Sequence, residues 1–188
     1  NNVENGKATV TIIGKGSYKG RITKTVDITQ IDISNSKVVM PTRFEYTGKK
    51  VSTYPYVSGL RINKDYTVKF ENSVGPGEGS VTVTGKGKYT GTVTKTYIIY
   101  RKMSTLKANL EYTDVEYDGK EKTPKVTIEG LTEGKDYTVS YEDNVDPGQA
   151  KVVISGIGPY YEGKIEKTFT ITGTAPEKED ISKLTVNV

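Results

Sequence analysis

Three observations point to an all-β protein made of tandem small antiparallel β-sandwich modules, each about 71 residues long. The first is self-similarity. GKATVTIIGKGSYKGRITKTVDI begins at Gly6, GEGSVTVTGKGKYTGTVTKTYII at Gly77 and GQAKVVISGIGPYYEGKIEKTFTI at Gly148, each start lying 71 residues after the last. Tyr46 and Tyr117, Gly48 and Gly119, Gly59 and Gly130, and Asp65-Tyr66 and Asp136-Tyr137 keep the same spacing. A fixed period of this length marks an array of supersecondary units. The second observation is alternation: in DYTVSYE, Tyr137, Val139 and Tyr141 share one parity and Thr138, Ser140 and Glu142 the other. Period two is the signature of a strand with one buried face. The third is composition within the runs, where Thr, Val, Ile and Tyr alternate with Gly, Pro, Asn and Asp at the breaks, and no window sustains a helical period.

The elements follow in order. Residues 1–29 read as the closing half of a module, with Ala8, Val10 and Ile12 alternating against Lys7, Thr9 and Thr11 as a half-buried strand. Such a short piece cannot bury a core alone, so upstream residues or another segment must complete it. The chain opens on Asn1 with no apolar leader and reads as an excerpt of a longer precursor. Residues 30–100 form the next module, in which Tyr66, Val68 and Phe70 repeat the inward parity of Tyr137, Val139 and Tyr141. Residues 101–172 form a further one. The only extra residue in the period is placed between Tyr160 and Gly163. Residues 173–188 are a linker and a first strand: Gly173 to Asp180 is polar with Pro176, and Asp180-Ile181-Ser182 echoes Asp32-Ile33-Ser34. Six or seven short strands per module suit a sandwich of immunoglobulin-like type. A β-grasp-like sheet is the alternative for so compact a unit.

Composition narrows the chemistry. The chain has 188 residues, 34% hydrophobic and 27% charged, with no Cys, His or Trp. Several small cores fit the low apolar fraction better than one large core. Without thiolate or imidazole there is no ordinary zinc or haem site, no cysteine nucleophile and no Ser-His triad. The expectation is no catalytic residue, no cofactor and no metal. The net charge of +4 is interspersed rather than clustered, so no nucleic-acid partner is expected. No apolar run reaches the length of a membrane span.

Several motifs invite functional readings. GKGSYKG, GKGKYTG and GIGPYYEG look like phosphate-binding glycine loops, but a strand rather than a helix follows each. They read instead as hairpins in which Gly14/Gly16, Gly85/Gly87 and Gly156/Gly158 permit positive φ or a bulge, with Tyr18, Tyr89 and Tyr160 packing the turn and bonding backbone through their hydroxyls. EDNVDPG, from Glu142 to Gly148, is oxygen-rich but lacks calcium-loop spacing, and reads as a Pro-Gly turn. Lys24, Lys95 and Lys167 share parity with their apolar neighbours. An inward lysine must snorkel, pair with a carboxylate such as Asp65 or Asp136, or form an intramolecular isopeptide bond. Tyr54 and Tyr56, in TYPYV, have no counterpart in the next module and are candidate ligand contacts for a sugar ring.

YDGK (Tyr117 to Lys120), GLTEGKDYTVSYEDN (Gly130 to Asn144) and GxGxYxG followed by a TKTYII or EKTFTI strand together resemble a known repeat. It is similar to the bacterial immunoglobulin-like modules of a YDG-containing kind, arrayed in cell-surface and secreted proteins of Gram-positive bacteria. Tyr46-Thr47-Gly48 departs from the YDG pattern. The resemblance implies an extracellular, secreted or wall-attached, non-catalytic spacer whose partners are other domains of the same polypeptide. Adhesion to glycan or a host surface protein is the alternative, and the parent protein is free to carry an enzyme elsewhere.

Overall fold

The computed structural model describes residues 5–177. Asp180-Ile181-Ser182, expected to open a further module, therefore lies outside the described residues. The chain divides into two units, Asn1–Ile99 and Tyr100–Val188. Both are all-β. Among the described residues the only helical element is a single 3-10 turn at Met103–Thr105.

The first unit begins with an antiparallel hairpin of β1 (Gly6–Ile13) and β2 (Arg21–Ile28), whose ladder pairs Val10 with Lys24 and Ile12 with Ile22. Seven strands and the body of an eighth follow: β3 (Ile31–Asp32), β4 (Val38–Val39), β5 (Arg43–Glu45), β6 (Tyr56–Val57), β7 (Tyr66–Glu71), β8 (Gly77–Gly85), β9 (Tyr89–Thr90) and β10 (Thr92–Lys102). Strands β5, β10, β8 and β7 lie side by side, β4 pairs β6 as a separate ribbon, and β3 runs parallel to β9. Between ribbon and sheet sit Ile33, Val38, Val57, Tyr66 and Val83, and toward β5 sit Val81, Tyr97 and Ile99. Phe44 and Phe70 meet the Tyr97 ring edge-on, at 5.4 and 6.3 Å between centroids. The alternation in β7 is as expected, with Tyr66 buried, Val68 and Phe70 half-buried, and Thr67, Lys69 and Glu71 exposed.

The second unit contains the end of β10, then β11 (Ala108–Leu110), β12 (Asp114–Glu116), β13 (Val126–Ile128), β14 (Tyr137–Glu142), β15 (Gly148–Gly156), β16 (Tyr161–Glu162) and β17 (Lys164–Thr172). The sheet order is β12-β17-β15-β14, with β12 parallel to β17 and the other pairs antiparallel. The β11–β13 ribbon is again separate, and Arg101-Lys102 of β10 run parallel to β16. Ala150, Val152, Ile154, Phe169 and Ile171 from the sheet pack with Met103, Ala108, Val126, Ile128 and Tyr137 in one core. Burying side chains of this size contributes about 1.5–3 kcal/mol each, which is what closes so small a unit.

The glycine loops do what backbone sterics require. A Cβ on Gly85 would fall 2.7 Å from the Thr90 nitrogen, and one on Gly156 2.7 Å from the Tyr161 oxygen. The first glycine of each pair therefore allows two backbone segments to touch. The second is left-handed in two loops, with φ 69° at Gly16 and 67° at Gly87, whereas Gly158 precedes a cis Pro159 and has no positive φ.

Three expectations are corrected. The β1 strand is not half-buried: only Ala8 of the inward set is partly covered, because among the described residues no second layer lies on it. The extra residue of the third loop falls before Tyr161, since Tyr161 pairs with Arg101 as Tyr89 pairs with Ile31; Tyr161, not Tyr160, packs on the core, and Tyr18 is 79% exposed. It is also not the only irregularity in spacing. Ile33 and Met103, both buried and both accepting a turn bond three residues on, are 70 rather than 71 apart, so one more residue enters before Tyr117.

Candidate functional site

The exposed aromatic pair Tyr54 and Tyr56 is built from the alternation of β6. Val57 is buried opposite Val38, its ladder partner in the β4–β6 ribbon, and Pro55 is also buried. The Pro55 carbonyl accepts the hydroxyl of buried Tyr66 at 2.9 Å, which anchors this segment. With residues 55 and 57 turned in, Tyr54 and Tyr56 turn out, at 63% and 58% exposure. The Tyr54 ring stands edge-on to Phe70 at 6.1 Å, and Tyr56 lies across the ladder from exposed Val39. The result is a small outward aromatic surface with one ring partly braced. Rings of this kind offer an apolar face and a polar tip, which is the chemistry that stacks on a sugar.

The second unit repeats the anchor without the rings. There the Tyr137 hydroxyl donates to the Val126 carbonyl at 3.2 Å, and the Tyr141 hydroxyl, where the first unit has Phe70, donates to the Pro124 carbonyl at 2.8 Å. The outward neighbours of Val126 are Lys125 and Thr127. Burial raises the phenol pKa of both Tyr137 and Tyr141 above the ordinary value, so both stay neutral donors.

Lys24, Lys95 and Lys167 start on the apolar side of their strands and end in solvent, all three being exposed. No ion pair joins them to Asp65 or Asp136. Those carboxylates instead accept the backbone N–H of Arg61 at 2.9 Å and of Thr132 at 2.8 Å, closing the turns before β7 and β14. Lys167 lines an open depression beside Ala108, Asn109 and Leu110. Exposure of all three is what snorkelling along a strand face requires.

Some of the remaining charged groups of the second unit form ion pairs. Lys151 lies 3.4 Å from Glu142 and 3.6 Å from Glu166, and Lys164 2.5 Å from Glu166. The hydrogen bond from Lys164 lowers the Glu166 pKa, and the bond to Glu142 raises that of Lys151. Both shifts favour the charged forms, the opposite of what a general acid at neutral pH requires. Asp118, the acidic residue of YDG, accepts the Lys120 N–H at 2.9 Å and pairs with the largely buried Lys122 ammonium at 2.7 Å. Its role here is to close a turn over Gly119, at φ 78°. In the EDNVDPG segment the Asn144 side chain donates to the Lys122 carbonyl at 3.0 Å, and Asp143 takes a left-handed φ of 54°. Among the described residues no three His, Cys, Asp or Glu side chains converge as a metal site, and no helix is long and apolar enough to cross a membrane.

Sequence reasoning reached Tyr54 and Tyr56 through their lack of a counterpart, and the incomplete core of the first hairpin through the shortness of residues 1–29, but had no signal for the bracing by Phe70. Comparison with family models, with curated proteins and with solved structures returns no match.

Proposed function

We propose that this chain is a non-catalytic extracellular spacer of tandem immunoglobulin-like modules, positioning another domain of a bacterial surface or secreted protein. One observation carries the reading. The β8–β10 and β15–β17 hairpins pair in one register, Val83 with Val93 and Val81 with Lys95 in the first, Ile154 with Ile165 and Val152 with Lys167 in the second. Each is closed by its own small core. Duplicated cores without convergent chemistry are what a repeated structural element needs. The immunoglobulin-like assignment is supported by a four-stranded sheet whose edge strand β12 runs parallel to the last strand β17, opposite a β11–β13 ribbon. A β-grasp arrangement would need a helix across the sheet, for which the described residues offer only the turn at Met103. Small-angle scattering on the full chain tests the spacer role. An elongated particle is expected, and a compact near-spherical one contradicts it.

A second reading is favoured by the exposed Tyr54–Tyr56 pair, which suits a glycan or a surface protein as partner. Binding on a glycan array that vanishes when both tyrosines become Ala would establish it. Unchanged binding in that double variant would remove the pair from consideration.

A further inference from the structure

Six of the eleven large hydrophobic side chains exposed among the described residues belong to the first hairpin: Val10, Ile12, Ile13, Tyr18, Ile22 and Val26. The ladder gathers most of them onto one side. Ala8 pairs with Val26, Val10 with Lys24 and Ile12 with Ile22, so five apolar residues share a face. The opposite face carries Thr9, Thr11, Thr23 and Thr25. A two-stranded ribbon with one greasy side is marginal in water, and the pattern is that of a sheet awaiting its second layer.

The same chain shows what that layer is. Val10 and Ile12 correspond in register to Val81 and Val83, and to Val152 and Ile154, all four of which are 0% exposed. In the first unit Val83 clusters with Ile33, Val57 and Tyr66, and the cluster of Val81 and Tyr97 packs against Phe44, Tyr46 and Val51, all these partners lying between residues 30 and 71 except Tyr97 itself. There β7 also pairs along the outer edge of β8, Tyr66 opposite Gly85 and Phe70 opposite Val81. The corresponding edge of β1 pairs with no described strand. The sequence ahead of β1 matches the turn that leaves β7: Asn1-Asn2-Val3 stands where Asn72-Ser73-Val74 and Asp143-Asn144-Val145 stand, each running to Gly6, Gly77 and Gly148. Lys24 is no obstacle, since Lys95 remains exposed in a hairpin that is covered.

We propose that this face docks the opening half of a module, a segment with the residue pattern of residues 30–71. It adds a β7-like strand, carrying the counterpart of Tyr66, to the edge of β1, and lays the counterparts of Ile33 and Val57 over Ile12 and Ile22 and those of Phe44 and Val51 over Val10 and Val26. The inference stands on register and burial and does not rest on the spacer reading.

The test extends the full chain with a second copy of residues 30–71 placed before Asn1, and follows amide hydrogen exchange by NMR. The amides of Val10 and Ile12 are expected to slow by about a hundredfold or more relative to the unextended chain, as a bare ribbon becomes a closed core. The same extended chain carrying Val10→Asp and Ile12→Asp is expected to lose that protection while Val81 and Val152 stay protected, which shows that the two units remain folded. Unchanged exchange at Val10 and Ile12 after extension overturns the proposal. Sedimentation of the unextended chain supplies the other arm. A monomer is expected, and a dimer abolished by the two Asp substitutions would make a second copy the occupant and overturn it equally.

Discussion

The β1–β2 and β15–β17 hairpins share alternation and ladder register and each turns through a Gly-x-Gly segment, the second with one extra residue and a cis Pro159, yet the apolar face of one is exposed and that of the other forms part of a core. Val10 and Ile12 are 51% and 60% exposed, against 0% for Val152 and Ile154. The loop-closing bond is present in both, from the Gly14 N–H to the Gly20 carbonyl at 2.9 Å and from the Gly156 N–H to the Gly163 carbonyl at 3.0 Å. Turn and register are therefore local properties, set by glycine geometry and by pairing of the two strands. Burial is not local. It depends on whether Met103, Ala108, Val126, Ile128 and Tyr137, or their like, arrive from elsewhere in the chain.

Cutting one buried side chain and its exposed counterpart should give the largest contrast. Phe169→Ala is expected to destabilise the second unit by about 3–5 kcal/mol, through lost transfer energy and the cavity left beside Tyr112, whose ring meets Phe169 at 6.0 Å. Val26→Ala, at the matching ladder position, is expected to change stability by no more than about 0.5 kcal/mol. Urea unfolding of both variants, read separately for each unit by NMR, makes the comparison. Similar losses at the two sites would mean that the first hairpin is covered in solution.

A smaller effect should be shared by all three loops, because its cause lies within each. Gly85→Ala sets a Cβ 2.7 Å from the Thr90 nitrogen, and Gly14→Ala sets one 2.9 Å from the Tyr18 carbonyl carbon. Overpacking of this kind costs about 1–3 kcal/mol. Exchange of the amides of residues 85 and 14, which donate to the Gly91 and Gly20 carbonyls, should accelerate in the respective variants. A loop that tolerated alanine in the bare hairpin but not in the covered one would show that tertiary packing, rather than backbone contact, selects glycine.

The smallest expected difference concerns acid. Asp32 accepts from the Ser34 hydroxyl at 2.7 Å and its N–H at 2.8 Å, and these bonds lower its pKa below the ordinary 3.8. The carboxylate also lies against Gly91, where a Cβ would collide with it. A depressed pKa means that the contribution is complete above 3.8 and disappears as pH falls through the lower folded value. The second unit has Lys102 at this place, one residue before Met103 as Asp32 precedes Ile33. An NMR titration below the ordinary carboxylate range should therefore move the Ser34 and Gly91 amides and leave Ser104 still. Equal movement at Ser104 would remove Asp32 as the cause.

Much of this molecule was written in periodicity. The 71-residue spacing, the inward parity of Tyr66, Val68 and Phe70, and the role of the glycine loops depend on neighbours a few residues away, which is the range over which sequence patterns speak. The outward Tyr54–Tyr56 pair was legible for the same reason, as a break in an otherwise repeated segment. Tertiary structure decided the rest. It placed the extra residue before Tyr161 by pairing that residue with Arg101, and it left Lys24, Lys95 and Lys167 exposed despite their inward parity. It also left Val10 and Ile12 uncovered where identical patterns are buried. Parity tells which face of a strand is apolar. Only the presence of a second layer tells whether that face meets protein or water, because covering it takes residues remote in the chain.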